Sequence, residues 1–139
     1  MSISEHKALV ERFYEELWNG WNFDAIGEIL SPDVVFHGSL GMDRTGHAGF
    51  IDYAELVRAA FPDFHNTVAE MIAEDDRLAA CLTYRGTHEG EIFDIEPTGR
   101  AISYAGVAIF VFRGGLISHV WVLGDRLALI QQLTDRGPV

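Results

Sequence analysis

The hydrophobic positions of this chain change period at Pro62. Before it they recur every three to four residues; after it they alternate, until a last helical run begins at Asp125. Leu9, Val10, Phe13, Tyr14, Leu17 and Trp18 make one wide apolar helix face, which ends at Asn19-Gly20. Ser2 and Glu5 stand at capping-box spacing in front of it. Phe23, Ile26 and Leu30 give a second, short helix that stops at Ser31-Pro32, and residues 34–37 give a short strand. Residues 38–49 (GSLGMDRTGHAG) are turn-forming and aperiodic, so they read as a loop. Phe50, Tyr53, Ala54, Val57 and Phe61 then set a third helix, terminated by Pro62.

Four strands follow, over residues 67–74, 78–87, 102–112 and 116–123. Asp75-Asp76 and Gly114-Gly115 mark tight hairpins, and residues 89–100 form a longer connection that turns at Pro97-Thr98-Gly99. Leu127, Ile130 and Leu133 continue the chain as a terminal helix. Helices, then a strand meander, then a helix predict an α+β fold over residues 1–139 as one domain, with a strongly curved β-sheet wrapped as a cone over an N-terminal helical layer. Such a cone leaves an apolar interior pocket suited to a small molecule. The strand at 102–112 (ISYAGVAIFVF) is apolar on both faces, so its outer face needs a cover; an isologous homodimer through the sheet supplies one.

Composition narrows the partners. A formal charge of −11 with no basic cluster argues against nucleic acid and anionic membrane surfaces. No apolar run approaches the roughly 20 residues that cross a bilayer, and the acidic, amphipathic start is unlike a signal peptide. A cytoplasmic protein is the expectation. Cys81 is the single cysteine and lies in an apolar strand, which points to an inert buried thiol and no disulfide within the chain.

Candidate chemistry gathers at residues 116–125. Successive strand side chains alternate faces, so Ile117, His119, Trp121 and Leu123 share one face and Asp125 stands at its end. Asp125 has two readings. It precedes an apolar helical run and so serves as an N-cap, worth roughly 1 kcal/mol, or it is a carboxylate poised for proton transfer beside Trp121. His119 either polarises a substrate at Asp125 or bonds a neighbouring strand. His88 and His37 end their strands as pocket-rim candidates, while His6, His47 and His65 offer no ligand spacing. No His-x-His or His-x-x-Glu pair supports a metal, and no glycine-rich phosphate loop is present. Tyr14, Trp18, Phe50, Tyr53 and Trp121 form a candidate aromatic lining for a flat, mostly apolar, carbonyl-containing molecule.

The segments FPDF at 61–64, YRGTHEGEIFDIEPTGR at 84–100, YAGVAIFVFRGGLI at 104–117 and HVWVLGDRLALIQQL at 119–133 resemble the SnoaL-like polyketide cyclases of the NTF2-like superfamily. The resemblance implies a cone-shaped mixed sheet, no metal, no organic cofactor, and a pocket carboxylate acting as general acid/base, which falls on Asp125. It implies an intramolecular aldol closure of a polyketide-derived ester. An epoxide hydrolase of the same fold, with Arg85 in an Asp–Arg–Asp arrangement, and a non-catalytic binding module are the alternatives. The state of Asp125 separates them: a carboxylate within a closed apolar pocket favours an enzyme, and a solvated cap favours binding.

Overall fold

The computed structural model describes residues 1–134. Helix α1 (Ile3–Arg12) opens on the expected capping box, with Glu5 N–H donating to Ser2 Oγ at 3.1 Å and Ser2 N–H to Glu5 Oε1 at 3.0 Å. It runs directly into a π-helical segment, Phe13–Asn19, and a short 3-10 turn, Phe23–Glu28, follows. Strand β1 (Leu30–His37) begins four residues earlier than the alternation alone places it. Residues 38–49 are not all loop. They hold a three-residue strand, β2 (Asp43–Thr45), and the first turn of α2 (Gly46–Ala60). Two glycines in that turn weaken any helical signal; the fold supplies what they lack, since His47 Nε2 bonds the Leu30 carbonyl at 2.8 Å.

Beyond α2 the chain forms β3 (His65–Glu74), β4 (Arg77–Thr87), β5 (Ala101–Arg113), β6 (Leu116–Gly124) and α3 (Arg126–Thr134). The sheet order is β2-β1-β6-β5-β4-β3, antiparallel throughout except where β1 lies parallel to β6. This is a mixed, curved six-stranded α+β sheet. Its inner face carries Leu78, Leu82, Tyr84, Tyr104, Phe110 and Val120 against the helical layer of Val10, Phe13, Leu17, Phe50 and Val57. The even positions of β5 are therefore the buried ones, and Val107, Ile109 and Val111 face outward. In α3 it is Leu129 and Leu133 that pack inward, and Leu127 is exposed. Among the described residues no helix is long and apolar enough to cross a membrane.

Candidate functional site

Where β6 meets β5 the register slips by one. Phe112 is opposite Ile117, but Val111 is opposite His119, so Ser118 is an extra residue whose hydroxyl donates to the Val111 carbonyl at 3.1 Å. A bulge of this kind reverses the alternation. Ile117 points inward, and after it Val120 and Val122 do, while His119, Trp121 and Leu123 turn to the outer face.

A small cavity of about 20 Å³, lined mostly by aromatic side chains, lies between the helices and the sheet. The π-helical segment supplies Phe13, Tyr14 and Trp18; α2 supplies Tyr53 and Val57; Tyr84 of β4 and Val122 of β6 close the sheet side. Phe36, Ser39, Phe64 and Asn66 complete it. Trp18 stands edge-on to Tyr53 with centroids 5.9 Å apart, and Tyr84 stacks on Phe64 at 5.8 Å. Asn66 is locked by Asn19: its backbone N–H donates to Asn19 Oδ1 at 2.8 Å and its carbonyl accepts from Asn19 Nδ2 at 2.9 Å. Tyr53 Oη accepts from Leu40 N–H at 3.1 Å, and Ser39 Oγ and Tyr104 Oη are 3.0 Å apart. Tyr14 differs from these. Its hydroxyl is buried and has no partner.

Burial sets the electrostatics. It pushes the phenols of Tyr14, Tyr84, Tyr104 and Tyr53 above their ordinary range, so all four stay protonated near neutrality. Among the described lining residues there is no carboxylate, imidazole, lysine or arginine. The cavity can donate and accept hydrogen bonds without carrying charge.

Of the residues singled out by sequence, the structure brings Tyr14, Trp18 and Tyr53 together around this space. Phe50 is close by but wholly within the core, packed on Phe13, Trp18 and Phe36. Trp121 lies on the outer face and is 42% exposed; Val122 takes its place at the cavity. His37 and His119 are outside as well, their rings 5.3 Å apart, with His37 Nδ1 2.5 Å from Asp43 Oδ1. His88 is buried at the end of β4, where Nδ1 accepts from Thr98 N–H at 3.1 Å and ties down the connection to β5. It does not meet the other two histidines, and no group of three or more acidic, histidine or cysteine side chains among the described residues is placed to hold a metal ion.

Asp125 is exposed and its Oδ1 accepts from Ala128 N–H at 3.1 Å, the N-cap geometry of α3. Its neighbours are Ala105, Val107, Leu123 and Gly124 on the outer side of the sheet. It is six residues beyond His119 along the strand direction, about 20 Å, so the two do not share a site. Arg85 is on the outer face too, donating to Thr67 Oγ1 at 3.3 Å, which removes it from any Asp–Arg–Asp arrangement in the cavity. Sequence reasoning passed over Ser39, Asn66 and Tyr84. The alternation of 78–87 already placed Tyr84 on the buried face, whereas Ser39 and Asn66 are brought in by the fold.

An interior cavity between N-terminal helices and a curved mixed sheet defines a cone of the NTF2-like type. The chain belongs to the SnoaL-like polyketide cyclase family, whose sequence model matches residues 8–133. AclR, a candidate hydroxylase from Streptomyces galilaeus, is 30% identical with a TM-score of 0.82, the match covering 99% of this chain and 90% of AclR. A candidate polyketide cyclase from Acidithiobacillus ferrooxidans is 27% identical with a TM-score of 0.84, covering 99% and 100% of the two chains. IdmH, a candidate polyketide cyclase from Streptomyces antibioticus, is 26% identical with a TM-score of 0.79, covering 91% and 96%. No curated protein matches the chain.

Proposed function

We propose that this protein is a cofactor-independent cyclase or isomerase that binds a flat, mostly apolar, carbonyl-bearing molecule among the aromatic side chains between helices and sheet, which part to admit it because the resting cavity is only about 20 Å³. The observation that carries the reading is the Tyr14 hydroxyl, buried among aromatic rings with no partner. Leaving such a group unsatisfied costs on the order of 1–3 kcal/mol, and a ligand oxygen relieves that cost. A phenol held protonated by burial donates more strongly as that oxygen gains charge, which favours enolate formation over the resting ketone. The reaction needs no external electron: a C–H beside a carbonyl is deprotonated, the carbanion attacks a second carbonyl, and the new alkoxide takes the proton back.

Asp125 is the proposed proton carrier. Gly124, the residue before it, lies close to Ser39, which lines the cavity, and to Tyr104; the carboxylate itself stands with Ala105, Val107 and Leu123 on the outer side of the sheet, so it must turn inward to meet a substrate. To act, it must exchange its bond to Ala128 N–H for the substrate's proton. A second reading, a non-catalytic ligand-binding module, is favoured by that same bond and by the exposure of Asp125.

Asp125→Asn separates them, because asparagine caps as well as aspartate but transfers no proton. In the enzyme, turnover of a ketoester falls by about 10²–10⁴ while the thermal melt is unchanged. Turnover that survives in Asp125→Asn, or is absent from the wild type while ligand binds, leaves the binding module.

The proposal includes a homodimer through the outer face. Cys81, which is exposed rather than buried, forms one cross-strand row there with Val107 and Leu123, and Ala79, Ile109 and Trp121 form the next. Val107, Trp121 and Leu123 are 40%, 42% and 62% exposed, a contiguous apolar patch of the kind that marks an interface.

A further inference from the structure

We propose that the turn Gly38–Met42 is the entrance to the cavity and that Arg126 is the residue holding it shut. The inference rests on the cavity being the substrate site. Size makes an entrance necessary. About 20 Å³ is room for one water molecule, so a flat ring system enters only if part of the wall moves. Most of that wall stands on helices and strands. Two lining residues do not, Phe64 and Ser39. Phe64 is stacked on Tyr84, packed against Trp18 and Phe61, and bonded through its N–H to the Phe61 carbonyl at 2.9 Å. Ser39 instead rides on the turn that follows β1.

That turn is closed on itself and pinned from outside. Gly38 N–H donates to the Met42 carbonyl and Gly41 N–H to the Gly38 carbonyl, both at 3.0 Å. Its middle is held down by Tyr53, Tyr104 and Arg126. Leu40 N–H donates to Tyr53 Oη at 3.1 Å, Ser39 Oγ pairs with Tyr104 Oη at 3.0 Å, and Arg126 Nη1 donates to the Leu40 carbonyl at 3.0 Å. The first two bonds are neutral and made by buried phenols; the third is charge-assisted and made by an exposed residue. Gly41 is fitted to it. Its φ of +84° suits glycine, and a Cβ there would overlap the guanidinium of Arg126. A turn that swings as a body keeps its own two bonds and gives up those of Ser39 and Leu40.

The position of Arg126 ties this movement to the chemistry. Ser39 lines the cavity and abuts Gly124, where a Cβ would overlap the serine's own. Asp125 follows Gly124 and Arg126 follows Asp125, so the side chain that secures the turn adjoins the carboxylate that has to turn inward. Lifting the turn withdraws Ser39 from Gly124, admits the ligand, and opens on that side a path for Asp125. Arg126 is therefore a positioning residue, acting through the turn and not on the ligand.

Amide exchange followed by NMR tests the turn without a ligand. Arg126→Gln should speed exchange of the Leu40 N–H by about two- to tenfold, the usual worth of one such bond. The Gly38 and Gly41 N–H groups should be unaffected, because their bonds travel with the turn. Entry is followed with 2-acetylnaphthalene, a flat neutral ketone, by stopped-flow quenching of tryptophan fluorescence, with Trp18 at the cavity as reporter. In Arg126→Gln its association and dissociation should quicken by the same factor and leave Kd unchanged, the mark of a gate and not of a contact. Exchange at Leu40 that is unchanged, or faster to the same degree at all three amides, overturns the entrance, as does entry at the wild-type rate. Affinity lost without faster entry makes Arg126 a ligand contact and overturns its role at the turn. In each of these cases the ketone still binds, and the cavity reading stands. A wild-type protein that does not bind the ketone, or binding indifferent to filling by Val122→Phe (Val122→Leu should the larger residue not fold), overturns the cavity reading and this proposal with it.

Discussion

A Cβ built on Gly38 would overlap the ring of Tyr53, and one on Gly106 would lie 2.5 Å from Tyr84. Glycine at these two places is a matter of room: each lets a backbone approach the face of a tyrosine that lines the cavity. Gly38→Ala should therefore displace Tyr53, break its bond from Leu40 N–H, and cost roughly 1–3 kcal/mol, the usual range for overpacking a core. Gly27→Ala is the control, since nothing stands within 4 Å of its Cβ position. Thermal melts of the two variants should differ in that order. Nothing in the residues around Gly38 announces this contact, because Tyr53 arrives from a helix and only the fold sets the two together. Asp125, by contrast, was legible as a cap from its place before an apolar run, and the structure shows the bond.

At the level of elements, periodicity located all four meander strands and both hairpins, since alternation and turn residues are local signals. It mis-sided β6. Regular alternation puts His119 and Trp121 on the face of Ile117, and one additional serine reverses them. A single bulge residue carries no signature that a serine in a regular strand lacks. The reversal has a measurable consequence at His119, whose pKa is drawn below its ordinary 6.5 chiefly by burial, with His37 and Arg77 adding repulsion. Asp43 beside His37 is the acidic group nearest this pair. The folded state thus binds the proton more weakly than the unfolded chain does. Its contribution to stability is complete above pH 6.5 and is lost as pH falls through the lower, folded value. Denaturant midpoints should decline as pH drops below about 6.5, and His119→Gln should flatten that decline. A midpoint whose pH profile is identical in the variant would remove His119 from the account. In α3, Asp125→Ala should lower stability by about 0.5–2 kcal/mol, unlike Asp125→Asn, in the same assay.

For the whole molecule, the two apolar faces of β5 were readable as a demand for two covers. The helices supply the inner one, and the outer row of Val107, Ile109 and Val111 is the face on which the proposed second copy would pack. Light scattering should report a dimer at micromolar concentration. Val107→Arg should convert it to a monomer, because an unpaired charge in such an interface costs several kcal/mol; a wild-type monomer would end the idea. What the sequence withheld was the partner of β1. Its parallel neighbour is β6, and parallel pairing of distant segments leaves no mark on either one.

That seam also orders the assembly of the chain in time. Strands β3 to β6 join neighbours in sequence, twice through tight turns at Asp75-Asp76 and Gly114-Gly115 and once through the longer connection at residues 88–100. The β1–β6 pair instead brings Val35 beside His119, closing a loop of roughly eighty residues. The entropy of closing so long a loop favours forming the local hairpins first. On that argument the meander should form the folding nucleus, with the cone closing after the rate-limiting step. Val34→Ala should accelerate unfolding and leave refolding almost unchanged, while Phe110→Leu should slow refolding, both read from stopped-flow chevrons. A nascent sheet that waits for β1 exposes the edge of β6, so the interval before closure is when this protein is most open to pairing with another chain.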